Sequence, residues 1–121
     1  MGYVSVYYQR DNGEEPVRDF IDSLNYKIQQ RFFAREEQLL GAYGEKLPPP
    51  HAHHLGGGLY ELKVDFGNLA YRFFYFLLGT TVIHIHAIQK KTQKVPPRDI
   101  ELAISRRKHF YQQIERGELE L

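Results

Sequence analysis

The chain has 121 residues, a formal net charge of +1 and no cysteine. That length suits one domain, residues 1–121, with a real core, and the missing cysteines exclude disulfides and thiolate chemistry, as suits a reducing cytoplasm. No basic segment followed by an apolar run opens the chain. Nor does any stretch approach the roughly 18 apolar residues of a membrane span, so a cytoplasmic protein without a membrane partner is expected.

In chain order, residues 3–9, YVSVYYQ, are β-branched and aromatic and stop at the turn signal DNG, which predicts a strand. Pro16 suits a first helical turn, with Val17, Phe20, Ile21 and Leu24 at helical spacing behind it. A second helix follows, with Ile28, Phe32, Leu39 and Tyr43 on its apolar face and Gly44 as its stop. The next stretch, EKLPPPHAHHLGGG, is punctuated by three prolines and three glycines and predicts an exposed loop. Then the period changes to two. Residues 59–66, 69–78 and 81–88 predict an antiparallel meander through the turns GN and GT. A last helix carries Ile100, Ala103, Ile104, Phe110, Tyr111 and Ile114 on one side and ends near Gly117. The order β, α, α, β, β, β, α predicts an α+β domain with helices on one face of a mostly antiparallel sheet.

The charge is unevenly spread. Residues 11–22 hold five carboxylates against Arg18, whereas residues 89–108 hold seven cations against Asp99 and Glu101, so one face can attract an anionic polymer at near-zero total charge. Arg72 interrupts an apolar strand; it either pairs with Glu61 on the neighbouring strand or reaches a groove lined by Lys63. In a groove, its planar fork would hold phosphate oxygens. Lys90 and Lys91 follow the third meander strand, where side chains can converge on such a groove or form a solvated basic turn. Lys94 and Arg98 extend the positive surface. Tyr60, Tyr71 and Tyr75 are candidates for stacking on unpaired bases, against the commoner reading of strand aromatics as core.

His84 and His86, two positions apart, are expected to share a strand face, and His51, His53 and His54 lie in the loop. Together they approximate a zinc set. No acidic or cysteine ligand is placed beside them and a Pro/Gly loop holds ligands poorly, so neither metal nor cofactor is expected. A strand histidine instead suits proton transfer.

The ordered pattern of NGEEPVRDFIDSL, GLYELK, YRFFY, KKTQKVPP and RDIELA closely resembles the phage-derived Gp49-like, HigB-type branch of the RelE/ParE toxin superfamily over nearly the whole chain. The resemblance implies a RelE-like fold, with the N-terminal strand and the meander packed on a helical hairpin beside a C-terminal helix. It implies the toxin of a type II toxin–antitoxin system, a ribosome-dependent endoribonuclease that cuts mRNA. Its partners would be the ribosome, mRNA and a small antitoxin, often with a helix-turn-helix domain. On the matching positions, Arg72, Lys90 and Lys91 would face the scissile phosphate, with Lys63 and Glu61 beside them and His86 preceding the lysine pair. Glu61, His86 or a lysine of lowered pKa would be the general base; Lys94, Arg98 and Tyr75 would touch RNA. Two other functions share the scaffold: a ParE-like gyrase inhibitor without nuclease activity, and a degenerate prophage toxin that only binds its antitoxin.

Overall fold

A computed structural model of the chain describes residues 3–41, 52–91 and 94–119. The elements are β1 (Val4–Tyr7), α1 (Pro16–Asp22), α2 (Tyr26–Gly41), β2 (Ala52–Gly56), β3 (Leu59–Phe66), β4 (Leu69–Leu78), β5 (Thr81–Lys90) and α3 (Pro97–Glu115). The sheet has five strands in the order β1-β5-β4-β3-β2. It is mixed: β1 runs parallel to β5, and every other pair is antiparallel. No described helix is long and apolar enough to cross a membrane.

Alternation along the strands gives the sheet two apolar faces. Leu62, Val64, Tyr71, Phe73 and Val82 pack against Val17 and Ile21 of α1 and Ile28, Phe32 and Leu39 of α2. On the reverse side, Leu59, Phe74, Phe76, Ile83 and Ile85 pack against Ala103 and Phe110 of α3. Helices therefore cover both faces, not one as expected. The near-continuous apolar run of β4, which includes FFYF, is the pattern of a strand buried on both sides.

The predicted exposed loop is corrected in part. Ala52–Gly56 is an edge strand, joined to β3 through Gly57 and Gly58, whose φ angles of 58° and 80° only glycine adopts readily. The upstream prolines obscured this hairpin signal; Tyr43, Gly44, the three prolines and His51 lie outside the described residues.

α3 is rotated from its expected orientation. Ile104 and Tyr111 are exposed, while Asp99, Arg106 and Gln113, each seven residues apart, line the sheet side with Ala103 and Phe110. Polar partners on the sheet explain the rotation. Asp99 accepts from His86, Arg106 donates to the Ile85 carbonyl at 2.9 Å, and Gln113 donates to the Gln9 carbonyl at 2.8 Å. An apolar-only periodicity cannot see a stripe held by hydrogen bonds.

Candidate nucleic-acid interface

Arg72 sits in the middle of β4, directly between Lys63 of β3 and Ile88 of β5. Its position alternates with Tyr71 and Phe73, so it shares the α3 side of the sheet with Phe74 and Phe76. It lines a groove of about 460 Å³ with Asp65, Asn68, Lys90 and Lys91 at the end of the sheet where β5 finishes. Arg72 is 8% exposed. Its Nη1 donates to Asp65 Oδ1 at 2.9 Å and to the Tyr71 carbonyl at 2.8 Å, leaving Nε buried without a partner. Three cations therefore meet one carboxylate, and that carboxylate is largely exposed. The fork is oriented by the backbone and by Asp65, and the groove keeps an excess of positive charge.

The expected choice for Arg72 between Glu61 and a groove lined by Lys63 is resolved against Glu61, but the groove is lined by Lys90 and Lys91 and not by Lys63, which lies opposite Arg72 in register and turns to Glu61. Direct register pairs Glu61 with Phe74, and its Oε1 lies 4.0 Å from Lys63 Nζ and 3.9 Å from His53 Nδ1. Glu61 is 4% exposed, and its second oxygen, Oε2, is buried without a partner. The edge strand β2 brings His53 opposite Glu61, a neighbour that reading these residues as a loop had missed. His54 serves the hairpin instead, accepting the Gly58 N–H at 3.2 Å and packing on the Tyr60 ring.

His84 and His86 do not share a face. Phe74 pairs with His86 and Tyr75 with His84, so Ile85 is an extra residue, and this β-bulge turns the two rings to opposite sides. His84, fully buried, lies against α2: its Nε2 is 3.0 Å from Glu36 Oε2 and 3.1 Å from Ser5 Oγ, and its ring stacks on Tyr7. The Tyr7 hydroxyl donates to the same Glu36 oxygen at 2.5 Å. His86 instead stacks on Phe74 beneath α3, with Nε2 2.8 Å from Asp99 Oδ1 and Nδ1 3.2 Å from Arg106 Nη1. A guanidinium only donates, so Nδ1 accepts, and Nε2 keeps its proton and donates a hydrogen bond to Asp99. Burial pushes the His86 pKa below the ordinary histidine range; the Asp99 hydrogen bond opposes that push and the Arg106 charge reinforces it.

Two consequences follow for the expected proton-transfer role. His86 has neither nitrogen free, so it ties α3 to the sheet beside the groove rather than reaching into it. Because its folded pKa lies below the unfolded one, its contribution to stability is present above about pH 6.5 and is lost as pH falls through the folded value. The neutral Nε2–H tautomer should therefore persist to lower pH than in an unperturbed histidine. A long-range ¹⁵N–¹H titration in which the His86 imidazolium forms at or above the ordinary histidine pKa would contradict the assignment.

Tyr75 is corrected outright. It is fully buried, and Tyr71 is 4% exposed, so neither ring can stack on a base. Both point to the α1–α2 side, where aromatic area serves the core. Lys94 and Arg98 are exposed, before and within the start of α3. Among the described residues no group of three or more His, Asp or Glu side chains is placed to hold a metal.

The geometry defines an α+β domain whose mixed sheet carries a cationic groove on the side shared with its C-terminal helix. Residues 19–108 match the family model described as Phage derived protein Gp49-like (DUF891), and the chain belongs to that family, the RelE/ParE-like toxin family that its motifs resemble. No curated protein matches the chain.

Proposed function

We propose that the protein is the toxin of a type II toxin–antitoxin system and acts as a ribosome-dependent endoribonuclease on mRNA. The observation that carries this reading is Arg72, fixed in mid-strand and lining one groove with Lys90 and Lys91. Strand cleavage by the RNA's own 2′-hydroxyl requires a proton to leave O2′, a bond to form from O2′ to phosphorus, the P–O5′ bond to break and O5′ to gain a proton. Negative charge grows on the non-bridging oxygens meanwhile. Arg72, preorganised by Asp65 and the Tyr71 carbonyl, stabilises that charge together with Lys90 and Lys91 of the same groove.

Proton transfer falls to Glu61 and His53, which lie outside the groove lining but share the Arg72 face of the sheet, on the far side of Lys63 from Asp65. Glu61 is buried and His53 is exposed within 3.9 Å of it, next to Lys63, whereas both nitrogens of His86 are occupied. His53→Ala should slow cleavage by roughly 10²-fold, the usual scale of a lost acid or base. His86→Ala should act chiefly through stability, by detaching α3.

A small antitoxin with a helix-turn-helix domain is the proposed partner, and the exposed Ile104 and Tyr111 of α3 offer it an apolar surface. The function is tested by adding purified protein to ribosomes translating a defined mRNA and mapping breaks by primer extension. Breaks confined to translated, ribosome-bound message are expected. Intact transcripts together with blocked DNA supercoiling would replace this reading with gyrase inhibition.

A further inference from the structure

A second cationic groove lies between the end of β1 and α3. It encloses about 520 Å³ and is lined by Arg10, Arg106, Lys108, Tyr8, His109 and Gln112, among others. β1 runs parallel to β5 and ends level with His84, midway along β5, so this groove flanks the β1 edge of the sheet, apart from the one that holds Lys90 and Lys91 where β5 finishes. Arg106 ties it to the sheet, bonded to His86 and with its guanidinium 5.7 Å from the Tyr8 ring.

Among the described residues none of the three cations pairs with a carboxylate. The nearby Asp11 is engaged by His109, whose Nε2 is 3.0 Å from Asp11 Oδ1. Tyr8 completes the chain, its hydroxyl 2.6 Å from His109 Nδ1, so the wall of the groove is held by hydrogen bonds from both β1 and α3. Arg106 is half-buried, and both that burial and the charge of Arg10 push its pKa down. Like charges brought together around a cavity are costly when the nearby carboxylate, Asp11, is held on His109 rather than on a cation, and a bound anion relieves the cost.

We propose that this groove is a second phosphate subsite, which holds the backbone of the RNA strand away from the cleaved bond. Arg10 and Lys108 are exposed and make the reversible contacts, while Arg106 supplies fixed charge at the base. The inference rests on the nuclease reading for its ligand, because a strand crossing the Arg72 groove has further phosphates to place.

The test uses the full chain and an uncleavable 2′-O-methyl RNA decamer, titrated at several salt concentrations. Arg10→Ala/Lys108→Ala should weaken binding by about tenfold and reduce the slope of log K against log salt by roughly 1.4, for two single-strand phosphate contacts. In the unsubstituted protein, inorganic phosphate should shift the His109 ring and Arg106 side-chain resonances, and Arg72→Ala should leave those shifts intact. Unchanged decamer affinity and slope in the double variant would overturn the subsite even if ribosome-dependent cleavage is found. Phosphate shifts without any effect on RNA binding would also overturn it, making the groove a site for a free anion. Absence of cleavage by the unsubstituted protein would sink the nuclease reading separately.

Discussion

Arg72→Ala should reduce cleavage of ribosome-bound mRNA by at least about 10²- to 10³-fold, the usual cost of removing one preorganised charge from a transition state. The fold should survive. The Asp65 carboxylate that Arg72 releases is 63% exposed and returns to water, and only one backbone carbonyl loses a donor. Arg72→Lys should recover only part of the rate, since an ammonium keeps the charge but lacks the planar fork that offers parallel donors to two phosphate oxygens. The measurement is single-turnover cleavage beside a thermal melt. Full activity in a folded Arg72→Ala protein would remove the residue from the mechanism.

The largest effect on stability is expected on the other side of the sheet. Glu36→Ala should cost about 3 kcal/mol, within the range for breaking a buried hydrogen-bonded pair, because fully buried His84 and the Tyr7 hydroxyl both lose their acceptor. Replacing the pair together, Glu36→Leu with His84→Phe, should cost less, since the fully buried imidazole is then no longer stranded and only the part-buried Tyr7 and Ser5 hydroxyls lose a partner. Denaturant melts of the three proteins read the difference. Equal losses in the single and double variants would show that packing alone is at stake.

The same network sets a pH profile. Burial pushes the Glu36 pKa up, but hydrogen bonds from His84, Tyr7 and Ser5 outweigh it and hold the carboxyl below its ordinary value of 4.5. Its contribution is therefore present above about pH 4.5 and lost as pH falls through the folded pKa. Tyr7 behaves in the opposite sense. Burial, the hydrogen bond to Glu36 and the Glu36 charge raise its pKa above the ordinary 10.0, so its contribution is present below about pH 10 and lost as pH rises further. Tyr7→Phe should flatten the alkaline limb and diminish the acid limb only in part, because His84 and Ser5 still hold the Glu36 carboxyl low.

Much of this molecule was legible from local pattern. Alternation and the GN and GT turns identified the meander, and helical spacing identified α1 and α2, because each pattern records which side chains must leave water. The family motifs picked out the cations that the groove brings together: Arg72, Lys90 and Lys91. Three features escaped for physical reasons. Burial of β4 on both sides calls for helices on two faces, yet an alternating count does not say where each helix returns. The bulge at Ile85 separates His84 from His86, and one inserted residue in a ladder has no local signature in an apolar strand. The stripe of Asp99, Arg106 and Gln113 faces the sheet because each finds a polar partner on another element.

By itself, then, the sequence determined the kinds of element, the family and the cationic character of residues 89–108, since propensity, period and charge are local properties of the chain. That Lys63 stays out of the Arg72 groove, and that Arg10, Arg106 and Lys108 meet in a second one, was decided by tertiary structure, through strand register and the parallel placement of β1 beside β5. It also decided that His53 meets Glu61 while both nitrogens of His86 are occupied, because those contacts exist only after the sheet and α3 have closed on one another.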